Sequence, residues 1–263
     1  MCPSTDATVK RSVLNTLTRR ANLNMKRKRA AAAYLQTNVI NIDQRLQEKR
    51  KRVQIYPKNL NQESYLLKLN DKQKMIIFAI GPAGTGKTML AVQWAIDQLK
   101  YGESDKIVIT RPAVSVDEQH GFLPGDLQQK MEPWTKPIMD VFSENYSARE
   151  IESMIREGVI ETSPLAYMRG RTFKNAYIIA DECQNTTVNQ MKMLLTRLGD
   201  NSRMVVTGDL AQADRLNDNG LINFCNLLGG KQGLKHVDIV QFNAKDIERH
   251  NAVKEVLALY GDS

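Results

Sequence analysis

Gly81-Pro82-Ala83-Gly84-Thr85-Gly86-Lys87-Thr88 follows the apolar run Met75-Ile-Ile-Phe-Ala-Ile80 and precedes a helical pattern of Met89, Leu90, Val92, Trp94, Ala95 and Leu99, closed by Gly102. The spacing GxxxxGK[ST] between a strand and a helix is specific because each part has a task. Glycines let the backbone approach an anion with its N–H groups turned inward, and the helix start adds the positive end of its dipole. The stretch reads as a P-loop for ATP or a close relative. Lys87 is expected to reach the β and γ phosphates and the Thr88 hydroxyl to ligate Mg²⁺.

Similar apolar runs of strand length follow at Lys106–Thr110, Ala176–Ala180 and Met204–Thr207, with a weaker one at Val237–Phe242. A helical stretch at Asn61–Leu69 precedes the first run, and another, with Met191, Leu194, Leu195 and Leu198, reads as closed by Gly199. Apolar strands alternating with helices imply an α/β domain whose mostly parallel central sheet is flanked by helices.

A P-loop needs a carboxylate on another strand to help hold the metal. Asp181 and Glu182, directly after Ala176–Ala180, supply it. Asp181 is expected to serve the metal, and Glu182 to polarise the attacking water as a general base. A further strand ends in Thr207-Gly208-Asp209 and is followed by Gln212 and Asp214. Residues just beyond strand C-termini line the ligand crevice of open α/β sheets, so Gln212 is a candidate contact to the γ-phosphate or the lytic water. Asp209 reads either as part of that phosphate sensor or as a turn cap.

Charge is unevenly spread. Residues 1–60 carry 14 Lys and Arg against 3 Asp and Glu, whereas the rest of the 263-residue chain carries 23 basic against 26 acidic residues. The basic clusters at Arg19-Arg20, Lys26–Arg29 and Lys49–Arg52 suit a phosphate backbone, so RNA or another single-stranded nucleic acid is the expected partner of this arm. A solvated arm that binds nothing is the plainer alternative. No apolar stretch reaches the roughly 18 residues of a membrane span, and the first twenty residues show no secretory h-region. Cys2, Cys183 and Cys225 are scattered, which argues against a disulfide framework or a zinc site. A soluble, cytoplasmic protein with no membrane partner is expected.

In that setting the chain resembles the PhoH-like family of P-loop ATPases, similar to the core of superfamily 1 helicases. The carriers are Pro57-Lys-Asn-Leu-Asn-Gln62, the P-loop, Thr110-Arg-Pro-Ala113, Gly121–Asp126, Arg169-Gly-Arg-Thr-Phe173, Asp181-Glu-Cys-Gln-Asn-Thr-Thr187, Gly208-Asp209 with Gln212 and Asp214, and Asp246-Ile-Glu-Arg-His250. The resemblance implies a RecA-like P-loop NTPase over residues 57–263, behind a basic, helical arm at 1–56. It implies that Gln62 reads the adenine, that Gln184 and Gln212 couple nucleotide state to the domain, and that Arg249 acts as an arginine finger in its own subunit or a neighbour's. The alternative for Arg249 is a solvated helix-face residue beside a stripe of Ile247, Val253, Val256 and Leu257. Arg111 is a candidate phosphate or nucleic-acid contact. Cys183 stands where alanine is usual, Ala211 where threonine is common, and Arg215-Leu216 replaces Leu-Pro. These departures bear on the sensor loop more than on nucleotide binding.

The segment 120–171 is long for a crossover and holds Trp134, Phe142 and Tyr146. It is expected to stack bases, to grip a neighbouring subunit or to cover the sheet edge, and the residues do not choose. A homo-oligomer, with a hexameric ring as the specific guess, follows from the family resemblance. The activity expected is Mg²⁺-dependent ATP hydrolysis coupled to RNA or single strands. The alternative is a nucleotide-gated scaffold with negligible turnover.

Overall fold

The structure, a computed structural model, describes residues 25–26, 52–112, 127–214, 217–230 and 234–260. The chain divides into two units at Lys51/Arg52, and the second carries everything described below. The basic clusters before Arg52, Lys26 apart, together with the Gly121–Asp126 motif and Arg215-Leu216, lie outside the described residues.

In chain order the elements are α1 (Leu60–Asn70), β1 (Ile76–Ile80), α2 (Lys87–Tyr101), β2 (Lys106–Arg111), α3 (Leu127–Ser143), α4 (Ala148–Arg156), β3 (Ile160–Pro164), β4 (Ala176–Ala180), α5 (Val188–Leu195), β5 (Arg203–Gly208), α6 (Gly220–Gly229), β6 (Val237–Gln241) and α7 (Asn251–Tyr260). The six strands form one sheet, all parallel, in the order β3-β2-β4-β5-β1-β6. Strands buried on both faces must be apolar throughout, and Ile-Ile-Phe-Ala-Ile in β1 and Ala-Tyr-Ile-Ile-Ala in β4 meet that demand. One face is covered by α1 to α4, with Tyr65, Leu90, Trp94, Ile96 and Phe142 in its core. The other is covered by α5 and α6 through Met191, Leu194 and Leu221. This is a RecA-like α/β sandwich.

The topology decides where chemistry can occur. Placing β5 between β1 and β4 brings the C-terminal ends of three strands together, with the glycine-rich loop after β1, Asp181-Glu182 after β4 and Asp209 after β5. Every strand points the same way, so all the strand ends lie along one rim of the sheet.

Three departures from the sequence reading have physical causes. The segment 120–171 contributes a sixth strand, β3, at the sheet edge, followed inward by β2. Phe142 is fully buried and Tyr146 half-buried with the Lys100 ammonium over its ring at 4.9 Å. Both rings pack within the protein, so the described part of this segment extends and covers the sheet, one of the three tasks read for it, while Trp134 is half-buried. Secondly, α5 stops at Leu195, and Gly199 is not its cap. A Cβ at Gly199 would stand 2.4 Å from the Phe173 carbonyl oxygen, which accepts the Gly199 N–H at 2.8 Å. Close backbone approach explains that glycine. Finally, Ile247 and Arg249 precede α7, and Val253 and Val256 are exposed at 39% and 49%. Arg249 therefore does not ride on a helix face.

Candidate nucleotide site

The P-loop leaves β1 at Gly81, and Gly84 and Gly86 both take left-handed φ values of +84° and +82°. The left-handed backbone angle favours glycine at Gly84, and a Cβ there would stand 2.6 Å from the Arg249 Nε, which places the Arg249 side chain against the loop. Gly86 is the N-cap of α2, whose free N–H groups open the helix at Lys87.

Lys87 is buried, and its Nζ donates to the Gly81 and Pro82 carbonyls at 2.6 and 2.7 Å. Burial pushes its pKa below the ordinary lysine value, while Asp209, Glu182 and Asp181 oppose that shift. Three carboxylates thus face one ammonium where the P-loop meets β4 and β5.

One oxygen organises the centre. Asp181 Oδ1 accepts from the Thr88 hydroxyl at 2.6 Å and from the Thr207 hydroxyl at 2.7 Å. The first bond joins the P-loop helix to β4, and the second joins β4 to β5. Thr207 also accepts the Glu182 backbone N–H at 3.3 Å. Sequence reasoning quoted Thr207 but gave it no task; its place at the end of β5 was the available signal.

Glu182 sits at φ +54°, ψ +47°, a left-handed conformation that costs a residue with a Cβ about 1 kcal/mol or more. Its carboxylate is half-buried, and Gln184 Nε2 donates to it at 2.6 Å. Gln184 Oε1 is buried without a partner. The loop after Glu182 is fixed to the loop before α6: Asn185 and Asp214 exchange two bonds of 2.9 Å, and Asn219 Nδ2 donates to the Gln184 carbonyl at 2.6 Å. Cys183 is fully buried, and burial pushes its thiol well above the usual range, which suits packing rather than redox chemistry.

The other expected residues divide. Gln62 is 1% exposed, with Nε2 donating to the Thr85 carbonyl at 3.0 Å and Oε1 accepting the Lys58 N–H at 2.8 Å. It braces the P-loop from α1. Arg249 lies beside Gly84, and the neighbouring Glu248 N–H donates to the Gly84 carbonyl at 2.9 Å, so this arginine meets the P-loop of its own chain. Asp209 caps the short turn Leu210–Gln212 through the Ala211 N–H at 3.0 Å while remaining buried. Both roles read for Asp209 are thus compatible. Gln212 is exposed in that turn and is not drawn into the cluster.

The donor set fits Mg²⁺. This ion takes oxygen ligands, keeps several waters and relies on one or two protein groups plus phosphates. Thr88 Oγ1 and the Asp181 carboxylate are adjacent oxygens of that kind, and among the described residues no cluster of three or more His, Cys, Asp or Glu offers a competing cage.

A parallel sheet with a glycine-rich loop, a buried lysine and a carboxylate bonded to the loop's threonine defines a nucleotide-binding P-loop protein. Residues 54–261 match the PhoH-like protein family model, and the chain belongs to that family. It is 44% identical over 205 residues to a PhoH-like protein of Bacillus subtilis, an alignment covering 77% of this chain and 63% of that one. It is 46% identical over 188 residues to a PhoH-like protein of Synechocystis, covering 70% and 56%. It is 39% identical over 208 residues to Protein PhoH of Escherichia coli, covering 78% and 58%. The chain thus spans about three-fifths of the length of the curated relatives it matches. The helicase domain of Pyrococcus furiosus Hef superposes with a TM-score of 0.40 at 12% identity, covering 75% of this chain and 40% of that one, a likeness too slight to add to the fold read from the sheet itself. No helix among the described residues is long and apolar enough to cross a membrane.

Proposed function

We propose that this protein binds and hydrolyses ATP with Mg²⁺, and that hydrolysis is coupled to RNA or another single-stranded nucleic acid. The observation that carries the reading is the 2.6 Å bond between Thr88 Oγ1 and Asp181 Oδ1, which sets the two expected metal-site oxygens side by side. When bound, Mg²⁺ would neutralise phosphate charge from these oxygens. Lys87 would exchange its two carbonyl contacts for phosphate oxygens. Glu182 would take the proton of the attacking water, with Gln184 holding its carboxylate in place. Arg249, beside the P-loop of its own chain, would add a permanent charge in cis, and a forked guanidinium suits phosphate oxygens. Gln212 belongs to the same reading only if its turn closes on nucleotide. A cytoplasmic location, a basic arm that holds nucleic acid and a homo-oligomeric ring complete the proposal.

Steady-state ATP hydrolysis by the full chain, with single-stranded RNA, single-stranded DNA or neither at two salt concentrations, tests it. Salt-sensitive stimulation by one nucleic acid supports the coupled ATPase. Tight ATP binding with no turnover under any condition would instead favour a nucleotide-gated scaffold.

A further inference from the structure

The parallel register of β4 and β5 pairs Ala180 with Val206, so one step further Asp181 stands opposite Thr207, with both side chains on the same face of the sheet. Thr207 is 1% exposed and β-branched, which confines its hydroxyl to few rotamers. An ionised carboxylate oxygen has room for about two donors. On Asp181 Oδ1 both places are taken, by Thr88 at 2.6 Å and by Thr207 at 2.7 Å. Oδ2 is different. Among the described residues it accepts no hydrogen bond, although Asp181 as a whole is only 6% exposed. Nor is it sealed in the core: Gln184 Oε1 is enclosed without a partner, whereas Asp181 Oδ2 still meets solvent. A charged oxygen largely withdrawn from bulk water and lacking a donor is costly unless something else satisfies it, and a hydrated cation would.

We propose that Thr207 is a positioning residue for Mg²⁺: together with Thr88 it saturates Asp181 Oδ1 and so leaves Oδ2 as the oxygen that serves the ion. The terminal torsion of an aspartate is broad, so a carboxylate held by one hydroxyl can exchange its two oxygens. Two donors from separate elements, the P-loop helix and β5, fix that torsion. The same Thr207 hydroxyl accepts the Glu182 N–H at 3.3 Å, so one group sets the metal carboxylate and the backbone of the expected base together. This rests on the Mg²⁺ and ATP reading above and narrows it from a carboxylate to one of its oxygens, with a threonine of β5 making the choice.

The test is calorimetric titration of the β,γ-imido analogue of ATP, which resists hydrolysis, into the full chain with Mg²⁺ or with EDTA. The ratio of the two affinities is the Mg²⁺ enhancement. Thr207→Val is expected to lower that ratio roughly 10- to 100-fold, the range for loss of a partner that orients a metal ligand, with the metal-free affinity unchanged. Thr207→Ser restores the hydroxyl and is expected to recover the wild-type ratio. A merely structural role would weaken both titrations alike, and that outcome overturns the proposal. Asp181→Asn gives a second readout that does not depend on the stability of Thr207→Val. Its amide oxygen takes the two hydroxyls, its NH₂ group stands where Oδ2 stood, and the enhancement is expected to vanish. Because an amide oxygen is itself a competent ligand for a hard cation, an Asp181→Asn variant that keeps the enhancement would show that the torsion is not fixed and overturn the proposal. A wild-type ratio in Thr207→Val overturns the role of Thr207 and leaves Mg²⁺-dependent ATP binding standing. No enhancement by Mg²⁺ in wild type overturns both.

Discussion

Replacing Thr207 with valine removes one hydroxyl and nothing else of consequence to shape. Thr207 is 1% exposed, so valine leaves no cavity, and the loss is wholly polar. Two bonds vanish: the 2.7 Å donation to the Asp181 carboxylate and the 3.3 Å acceptance from the Glu182 N–H. A hydrogen bond to a charged group contributes about 1.5–3 kcal/mol, and the longer neutral bond about 0.5–1 kcal/mol. Thr88 still donates to Asp181, so the carboxylate is not left alone. The expected destabilisation is about 3 kcal/mol. With a urea dependence of about 2–3 kcal/mol per molar, the unfolding midpoint should fall by roughly 1–1.5 M. Urea titration followed by circular dichroism on wild type, Thr207→Val and Thr207→Ser measures it. Serine restores the hydroxyl and should recover all but about 1 kcal/mol. A valine variant within 0.5 kcal/mol of wild type, or a serine variant as unstable as the valine one, would refute the claim that this hydroxyl joins β5 to Asp181.

Further outcomes follow from the same geometry. Glu182→Gly should be about 1 kcal/mol more stable than Glu182→Ala by thermal melting, because both lose the carboxylate and only glycine accepts φ +54° without strain; equal stabilities would remove the strain argument. Gly199→Ala drives a methyl against the Phe173 carbonyl and should cost about 2–3 kcal/mol, measured by the same urea titration. Glu161 bonds to Arg171 and Lys106, and these partners hold its pKa below the ordinary value of 4.5 against the opposing effect of burial. A depressed carboxylate stabilises the fold above its unfolded pKa and loses that contribution as pH falls through the folded one. Wild type should therefore exceed Glu161→Gln by about 1 kcal/mol at pH 7, and the gap should close below about pH 4.5; a gap constant to lower pH would contradict the ion pair.

Central strands were legible because burial on both faces forces apolar runs, as in β1 and β4. The edge strand β3, Ile-Glu-Thr-Ser-Pro, was not, because Ile160 is its one large apolar residue and Glu161, half-buried, is held by ion pairs to Lys106 and Arg171 instead of an apolar core. The helix α3, which contains both Pro133 and Pro137, was likewise not read from the sequence. At the site, Lys87, Thr88 and Asp181 were readable from type and spacing because phosphate and metal chemistry restrict the choice. The left-handed turn at Glu182 and the shared oxygen at Thr207 were not, since each depends on which strand lies beside which. The order β4-β5-β1 supplies that information, and no local pattern encodes it. Gln62 illustrates the remaining gap: its position was noticed, but its bond to the Thr85 carbonyl is a long-range contact.

The most direct test is calorimetric titration of ATP, with and without Mg²⁺, into wild type and Lys87→Ala. The account predicts one Mg²⁺-enhanced site per chain in wild type and no measurable binding in Lys87→Ala, whose circular dichroism stays that of wild type. Equal affinity in the two proteins would place nucleotide elsewhere and contradict the reading of Gly81–Thr88 as its seat.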